Sequence, residues 1–334
     1  MRRWGRVAAV AAAVAMSVAG CGAPDAAVTS PPPGSSPVTG TSGAVVPAPT
    51  AVAPSAGASN PASPAAASSA AGAAPVKALV VVEENHSQSA VLSGMPYLAS
   101  LADTYGQTSA YRAVAHPSLP NYLAVIGGST FGVTDDRPPA DHPVAGASVL
   151  DSAIARAATA KAYIEDMPGP CTPVSSGDYA VKHNPWAYFA DQTDRGNCRN
   201  FDVPTGTATG GALYDDIQAG TLPTIGLLIP NLCHDAHNCP LSTADAWLQQ
   251  WLPIVMRGPD YRAGRLAIVI TFDEDDNSGD NTVLTTVIAP TVHHVSAAGP
   301  LTHYSLTRYL AELTGTPPPA EAATAASLGT AFGM

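Results

Sequence analysis

Short, continuous runs of apolar residues recur between residues 76 and 334 and alternate with longer amphipathic segments. Runs of this kind are typical of strands buried on both faces of a parallel sheet, because such strands have no water-facing side. The intervening segments repeat apolar residues every three or four positions, which predicts helices. The predicted parallel strands are ALVVV (78–82), AYI (162–164), TIGLLI (224–229), LAIVITF (266–272) and TTVIA (285–289).

Helical segments fall between these strands. Strands that alternate with helices predict an α/β fold, in which a mostly parallel sheet is flanked by helices on both faces. We expect the helix at 243–256 to start near Thr243. We expect the helix at 304–315 to stop at Gly315, which is followed by prolines. The predicted helices are MPYLASLADTYG (95–106), SVLDSAIARAATA (148–160), TADAWLQQWLPIVM (243–256) and YSLTRYLAELTG (304–315).

Carboxylates or histidines follow four of the predicted strands. Ligands in open α/β sheets bind at the carboxyl ends of the strands, so four such loops together predict an active site. The segments are EENH at 83–86, ED at 165–166, HDAH at 234–237 and DEDDN at 273–277.

Ser118 lies between two prolines in AHPSLPNYLAVIGGST, residues 115–130. If Pro120 begins a helix, Ser118 lies just ahead of a helix N-terminus, whose free N–H groups favour an anion such as phosphate. A loop serine before a proline-started helix is the alternative for this segment alone. The chain has no G-x-S-x-G motif of a conventional serine hydrolase, and no glycine-rich nucleotide-binding motif.

Oxygen ligands for a hard divalent cation are available on both sides of such a site. Glu84 and Asn85 follow the first strand, and Asp273 and Glu274 follow the fourth. The DEDDNSGDN segment is not an EF-hand loop, because serine and leucine occupy the positions that require glycine and glutamate. A serine beside such ligands indicates phosphoryl transfer.

Several histidines lie beside these signals and could protonate a leaving alkoxide. We expect His237 to do so, with His116 and His183 as alternatives, and Asp235 to orient one of them. His234 and His303 are further candidates. The histidines assigned to peripheral or surface positions are His86, His142, His293 and His294.

The amino-terminal residues predict export. A basic start, an apolar run and small residues are typical of a secretory signal peptide, here residues 1–20. The ending SVAGC resembles a lipobox and predicts lipidation of Cys21. Residues 21–75, rich in Ala, Ser, Pro and Gly, predict a disordered tether. We therefore expect the domain at 76–334 to be held at the outer side of the cell membrane or secreted.

The four cysteines that remain after Cys21 form an even set, which suits an oxidising compartment. Four cysteines allow three pairings. Proximity along the chain favours Cys171–Cys198 and Cys233–Cys239. A zinc site is the alternative, disfavoured because no C-x-x-C pair is present.

The net charge of −11 argues against a nucleic-acid partner. It also opposes long-range attraction of anionic substrates. A phosphate ligand must therefore be captured by local groups or by a metal.

Six segments occur in the order of a known family: VVVEENHS, HPSLPNYLAVIGGSTFGVT, YAVKHNPWAYF, LPTIGLLIPN, TFDEDD and THYSLTRYL. They resemble the bacterial phosphoesterase family, which holds acid phosphatases and phospholipases C within the alkaline-phosphatase-like fold. The resemblance spans almost all of residues 77–316. It implies an acid phosphatase that acts on phosphate monoesters, either small molecules or phosphoinositide headgroups.

The resemblance also implies roles for individual residues. Ser118 corresponds to the nucleophile, and Asn121 would hold a non-bridging phosphate oxygen. A divalent ion of unspecified identity is implied as cofactor. The residues that match positions holding the metal or framing the phosphate are Glu84, Asn85, Asp273 and Glu274. The matching polar groups near the site are His183, Asp235 and His237.

One feature departs from the family pattern. Cys233 and Cys239 flank the Asp235–His237 segment, where a cysteine pair is unexpected. A disulfide there could stiffen the loop or could displace His237.

The residues and the resemblance together predict an exported phosphomonoesterase with a serine nucleophile. The nearer alternative is a phosphodiesterase of phospholipase C type on the same fold. The more distant one is a surface lipoprotein that binds phosphate without catalysis.

Overall fold

The computed structural model describes residues 74–334. The predicted signal peptide (1–20), Cys21 and nearly all of the predicted tether (21–75) lie outside these residues, so the domain boundary stays a prediction. Within the described part of the chain, no helix has both the length and the apolar character needed to cross a membrane.

Residues 74–334 form an eight-stranded sheet and a small three-stranded sheet. In chain order the strands are β1 (Lys77–Glu83), β2 (Gly106–Thr108), β3 (Tyr111–Arg112), β4 (Ala160–Ile164), β5 (Asp202–Pro204), β6 (Ile225–Ile229), β7 (Leu266–Phe272), β8 (Thr282–Val283), β9 (Thr285–Ile288), β10 (Val295–Ala297) and β11 (Leu301–Thr302). The large sheet has the order β10-β2-β9-β7-β1-β6-β4-β5, and the small one the order β11-β3-β8.

The centre of the large sheet is parallel, as predicted. β1 pairs in parallel with β7 and β6, β6 with β4, and β4 with β5. The predicted parallel direction is wrong for the run at 285–289, because β9 pairs antiparallel with both β7 and β2. Residues 273–284, all described, contain no helix. A parallel return requires a long crossover connection, so here the chain returns antiparallel.

Two groups of helices cover the sheet. In chain order the helices are α1 (Gln88–Gly94), α2 (Pro96–Thr104), α3 (Ser118–Gly127), α4 (Val149–Ala155), α5 (Gln192–Phe201), α6 (Ala212–Ala219), α7 (Leu241–Arg257), α8 (Pro259–Arg262), α9 (His303–Thr314) and α10 (Leu328–Ala331). α3, α4, α9 and α10 pack together, and α1, α2, α6, α7 and α8 form the other group. The predicted α/β fold with a mostly parallel, helix-flanked sheet is confirmed.

Three helix boundaries test the predictions in detail. α9 ends before Gly315, whose φ of 65° places it in the left-handed region that favours glycine. α7 begins at Leu241, two residues before the predicted start at Thr243. α3 begins at Ser118, with Pro117 as its N-cap, so the serine is the first helical residue instead of lying ahead of a helix that starts at Pro120.

Both favoured cysteine pairs are disulfides. Cys171 is bonded to Cys198, and Cys233 is bonded to Cys239. Asp202 lies beside the first pair. This trio offers no thiolate to a metal, because both of its sulfurs are in the disulfide.

Asp202, the first residue of β5, is wholly buried, and Asn184 Nδ2 donates to its Oδ2 at 2.8 Å. Burial raises the pKa of Asp202 to about 7, whereas an aspartate in an unfolded chain has a pKa of about 3.9. The folded state therefore binds this proton more tightly than the unfolded state does. The free energy of unfolding must therefore fall as the pH rises from the unfolded-state pKa of about 3.9 to the folded-state pKa of about 7.

We predict that Asp202 alone lowers the free energy of unfolding by roughly 2–3 kcal/mol between pH 5 and pH 8, since one pKa unit is worth about 1.4 kcal/mol. Urea unfolding at both pH values should show that Asp202→Asn removes this part of the pH dependence. Asp103→Asn, on the exposed surface of α2, is the control and should keep the wild-type dependence. An unchanged slope in Asp202→Asn would contradict the assignment.

Candidate active site

Three neighbouring strand ends bring their polar residues together. Asp273 follows β7, and its N–H donates to the carbonyl of Glu83 at the end of β1, at 2.9 Å. Glu84 comes next, and its N–H donates to the carbonyl of Asp235, in the loop after β6, also at 2.9 Å. The predicted convergence at this edge of the sheet is confirmed for β7, β1 and β6.

The polar residues after β4 contact the loop after β6 and do not contact Ser118. Glu165 Oε2 accepts from the N–H of Asn231 at 3.0 Å and lies 2.9 Å from His234 Nδ1. Asp166 Oδ2 accepts from Asn231 Nδ2 at 2.6 Å. These groups hold the loop after β6, and Ser118 is in contact with neither carboxylate.

Ser118 Oγ is buried among charged groups. It donates to Glu84 Oε2 at 3.1 Å and lies 3.4 Å from Glu274 Oε1. Lys182 Nζ donates to Ser118 Oγ at 3.4 Å. A hydroxyl between carboxylates and an ammonium group is well placed to lose its proton and act as a nucleophile.

Behind the serine, His183 lies between two buried carboxylates. Its Nε2 is 2.9 Å from Glu84 Oε1, and its Nδ1 is 3.1 Å from Asp235 Oδ2. Burial alone would lower the pKa of His183, but the charge of Glu84 and the contact with Asp235 raise it to about 9. Burial alone would raise the pKa of Glu84, but the His183 cation lowers it to about 2. The ring therefore stays protonated and keeps Glu84 charged.

Asp273 and Glu274 complete a group of acidic side chains that we call the carboxylate cluster (Glu84, Asp273 and Glu274). Burial, followed by the charge of Glu84, raises the pKa of Asp273 above its usual range and that of Glu274 to about 8. Asp273 Oδ1 accepts from the N–H of Asn85 at 2.9 Å, whereas Oδ2 is buried without a hydrogen-bond partner. Asn85 thus acts here through its backbone.

The carboxylate cluster fits a divalent cation. Three buried carboxylates, two of which (Asp273 and Glu274) have raised pKa values and one of which (Asp273) has an unpartnered oxygen, would be stabilised by a positive ion, and hard cations prefer oxygen ligands. A second donor set overlaps at Glu84, since ligand atoms of Glu84, His183 and His237 lie within 4.8 Å of one another. His183 is less suited, because a protonated imidazole must lose its proton before it can bind a metal.

Two other histidines support the carboxylate cluster. His116 Nδ1 lies 2.6 Å from Glu274 Oε2, and its Nε2 lies 3.3 Å from Asp275 Oδ1. His303, the first residue of α9, donates from Nε2 to the carbonyl of Asp273 at 2.6 Å. Burial lowers the pKa of His303 to about 4, so this ring is neutral. Both histidines hold acidic residues in place.

His237 is exposed at the mouth of the site. Its backbone N–H donates to Asp235 Oδ1 at 2.8 Å, and its ring centroid lies 5.7 Å from that of His183. The disulfide between Cys233 and Cys239 closes the loop that carries it. The unexpected cysteine pair therefore leaves His237 beside the other site residues. Asp235 contacts the ring of His183 but only the backbone of His237.

Asn121 has a different position from the one that the resemblance implies. Its Oδ1 accepts from the N–H groups of Val114 and Ala115, both at 3.0 Å. Its Nδ2 donates to the carbonyls of Ala115 and Pro117, at 2.9 and 3.2 Å. Both amide hydrogens are therefore occupied in shaping the loop before Ser118, and neither is free for a phosphate oxygen.

Lys182 and Asp136 were not expected in the site. Lys182 Nζ contacts Ser118 Oγ and also lies 3.2 Å from Asp136 Oδ2 and 3.3 Å from His237 Nε2. Asp136 Oδ1 accepts the N–H of Leu119, the second residue of α3, so this N–H is not open to an anion. Lys182 directly precedes His183 in the KHNPW segment, which is a signal that could have found it. No sequence pattern marks Asp136.

The remaining histidines lie away from Ser118. His234 contacts Glu165 and stacks on Trp247. His293 and His294 are exposed, as predicted for surface loops, and His142 pairs with Asp135.

Comparisons with known proteins agree with this geometry. Residues 84–308 match the family described as the phosphoesterase family. A phosphatidylinositol-3-phosphatase of Mycobacterium tuberculosis is 31% identical over 246 residues, which are 72% of this chain and 77% of that protein. A phosphate-repressible acid phosphatase of Penicillium chrysogenum is 29% identical over 222 residues, 62% of this chain but only about half (51%) of the fungal protein.

A solved structure shares the fold. A protein of the alkaline phosphatase superfamily from Vibrio parahaemolyticus superposes with a TM-score of 0.53, over 73% of this chain and 67% of that one. The sequences are only 12% identical, so the similarity concerns the fold alone.

Proposed function

The chain belongs to the phosphoesterase family and is a phosphatase, and we propose that it is an exported acid phosphatase that hydrolyses phosphate monoesters with Ser118 as the nucleophile. The observation that carries this proposal is the position of Ser118 Oγ, buried in contact with Glu84, Glu274 and Lys182. The name of the mycobacterial relative adds phosphoinositide headgroups as a candidate class of substrate.

In the first step, Ser118 Oγ attacks phosphorus and its proton passes to Glu84 Oε2, the carboxylate that it already contacts at 3.1 Å. A bond forms between Oγ and phosphorus as the bond from phosphorus to the leaving oxygen breaks. His183 keeps Glu84 ionised and able to accept this proton. Water then attacks the phosphoserine and gives up a proton as the bond from Oγ to phosphorus breaks. Glu84 returns the serine proton to Oγ, and inorganic phosphate is released.

Lys182 takes the role that the resemblance gave to Asn121. Its ammonium group lies 3.4 Å from the nucleophilic oxygen and can bind a non-bridging oxygen of the phosphate. Burial alone would lower the pKa of Lys182, but Glu84 and Asp136 raise it, so the charge is retained.

His237 is the general acid in this proposal. It is exposed and adjoins Lys182, so a leaving oxygen can reach it. A protonated imidazole can donate its proton to a leaving alkoxide. His183 is too deeply buried between its carboxylates for this role, and His116 is engaged with Glu274.

Glu84, Asp273 and Glu274 would hold the divalent ion, and the side-chain oxygen of Asn85 would be a fourth donor. Such an ion would neutralise charge on the phosphate and favour ionisation of the serine. The chain's own residues keep the serine, the phosphate and the leaving oxygen in position.

Export and lipid anchoring are part of the proposal. The two disulfides support an oxidising compartment. The signal peptide and the lipidated Cys21 rest on the sequence pattern of residues outside the described range.

We predict that Ser118→Ala abolishes hydrolysis of p-nitrophenyl phosphate, by at least about 10³-fold, because no nucleophile remains. Ser129→Ala, at the other end of α3, is the control and should keep the wild-type rate. Circular dichroism should show that both variants are folded. A folded Ser118→Ala variant with most of its activity would refute the mechanism. Comparable hydrolysis of bis(p-nitrophenyl) phosphate by the wild type would favour a phosphodiesterase instead.

We predict that Lys182→Met lowers kcat/KM by roughly 10²- to 10³-fold, the usual loss when one charge-stabilising group is removed. Lys161→Met is a matched control, because Lys161 is also partly buried and pairs with an aspartate, Asp216, at 2.6 Å. It lies near the start of β4, at the opposite edge of the sheet from the site. Equal kinetics for the two variants would exclude a role for Lys182 in phosphate binding.

We predict that EDTA removes activity and that Mg²⁺, Mn²⁺, Ca²⁺ or Zn²⁺ restores it and raises the Tm. A ligand at a hundred times its Kd stabilises a folded protein by about 2.7 kcal/mol. Asp273→Asn should abolish the metal-dependent shift in Tm, whereas Asp280→Asn, on the exposed surface of the same loop, should keep it. Full activity in EDTA with no Tm shift upon metal addition would show that no metal is required.

A further inference from the structure

A cleft of about 460 Å³ opens beside the nucleophile. Asp136, Lys182 and His237 line it. Lys182 contacts Ser118 Oγ, and Asp136 and His237 contact Lys182. Ser118 does not itself line the cleft, but Lys182 does, and its ammonium group lies 3.4 Å from Ser118 Oγ, so the cleft adjoins the place where phosphorus would be attacked. A substrate whose phosphate lies at Ser118, with its leaving oxygen near His237, extends its alcohol portion into this space.

The rest of the cleft is largely apolar. Val181 belongs to the same helical turn as Lys182, and Leu232 lies in the loop after β6. Val174 and Pro138 form other parts of the wall. Val174 is 66% exposed, an unusual degree for a large apolar side chain in the described residues. Exposed apolar surface next to a polar reaction centre is typical of a surface that a ligand covers.

Charge also limits what the cleft can hold. Lys182 is the only lysine or arginine among its lining residues, and Asp136 lies 3.2 Å from it. Once Lys182 binds the reacting phosphate, the described lining offers no cation for a second anionic group. This arrangement disfavours alcohols that carry further phosphates.

We propose that this cleft binds the alcohol portion of the substrate and selects phosphate monoesters of apolar alcohols, with an alkyl or aryl group, over polyol and polyphosphate esters. It therefore makes phosphoinositide headgroups the less favoured of the candidate substrates named above. The proposal rests on the proposed function, because it needs the phosphate at Ser118. It specifies the class of substrate further, because residues that take no part in the reaction would select the alcohol portion.

The n-alkyl phosphates from ethyl to hexyl test this directly, because their leaving groups are equally basic and differ only in apolar length. We expect kcat/KM to rise about two- to fourfold with each added methylene, the range for partial to full burial. Propyl phosphate should also be hydrolysed more efficiently than glycerol 3-phosphate, which has the same number of carbons.

Val174→Ser should reduce the dependence on chain length, because the wall of the cleft becomes polar. Val76→Ser is the matched control. Val76 is also exposed, at 55%, but it directly precedes β1, at the edge of the sheet opposite the site. The control should keep the wild-type dependence.

Binding of ethylphosphonate and hexylphosphonate by calorimetry separates this proposal from the proposed function. Tighter binding of the hexyl compound, lost in Val174→Ser, supports the cleft even if no ester is turned over, in which case only the proposed function fails. Equal kcat/KM for ethyl and hexyl phosphate, with equal binding of the two phosphonates, overturns the cleft proposal and leaves the phosphatase intact.

Discussion

The imidazolium of His183, held between Glu84 and Asp235, is the interaction on which the rest of the site depends. A carboxylate that is wholly buried tends to take up a proton, which would leave Ser118 facing a neutral acid. The ion pair at 2.9 Å reverses that tendency for Glu84. Ionised Glu84 can then accept the serine proton and attract a metal ion. Loss of one partner from such a buried arrangement typically costs about 3–5 kcal/mol, because the other charge is left uncompensated.

The fold supplies this arrangement through the order of its strands. β7, β1 and β6 are adjacent and parallel, so the residues that follow them meet at one edge of the sheet. α3 begins at the same edge and presents Ser118 to Glu84. His183 comes from a helical turn far along the chain, and Tyr122 of α3 stacks on its ring with centroids 5.0 Å apart. The backbone thus positions the acids, while long-range packing positions their cations.

The parts that the sequence predicts well are those governed by local pattern. Continuous apolar runs identify β1, β6 and β7, and the carboxylates directly after β1 and β7 lie where a parallel sheet requires them. The direction of β9 was missed because strand direction depends on the connection and not on the run of residues itself. Lys182 and Asp136 were missed because they meet Ser118 only through the folding of two loops. The position of Asn121 differs for a similar reason: its amide satisfies backbone groups that become buried only once the preceding loop has folded.

The central claim is that Ser118, activated by Glu84, carries the phosphoryl group during turnover. Its most direct test is to quench the wild-type protein during hydrolysis of p-nitrophenyl phosphate, in acid and separately in alkali, and to locate phosphate on its peptides by mass spectrometry. We expect phosphate on Ser118 after the acid quench, in an amount that rises with the concentration of p-nitrophenyl phosphate and is absent without it. Phosphate on His183 or His237, recovered only after the alkaline quench, would contradict the account.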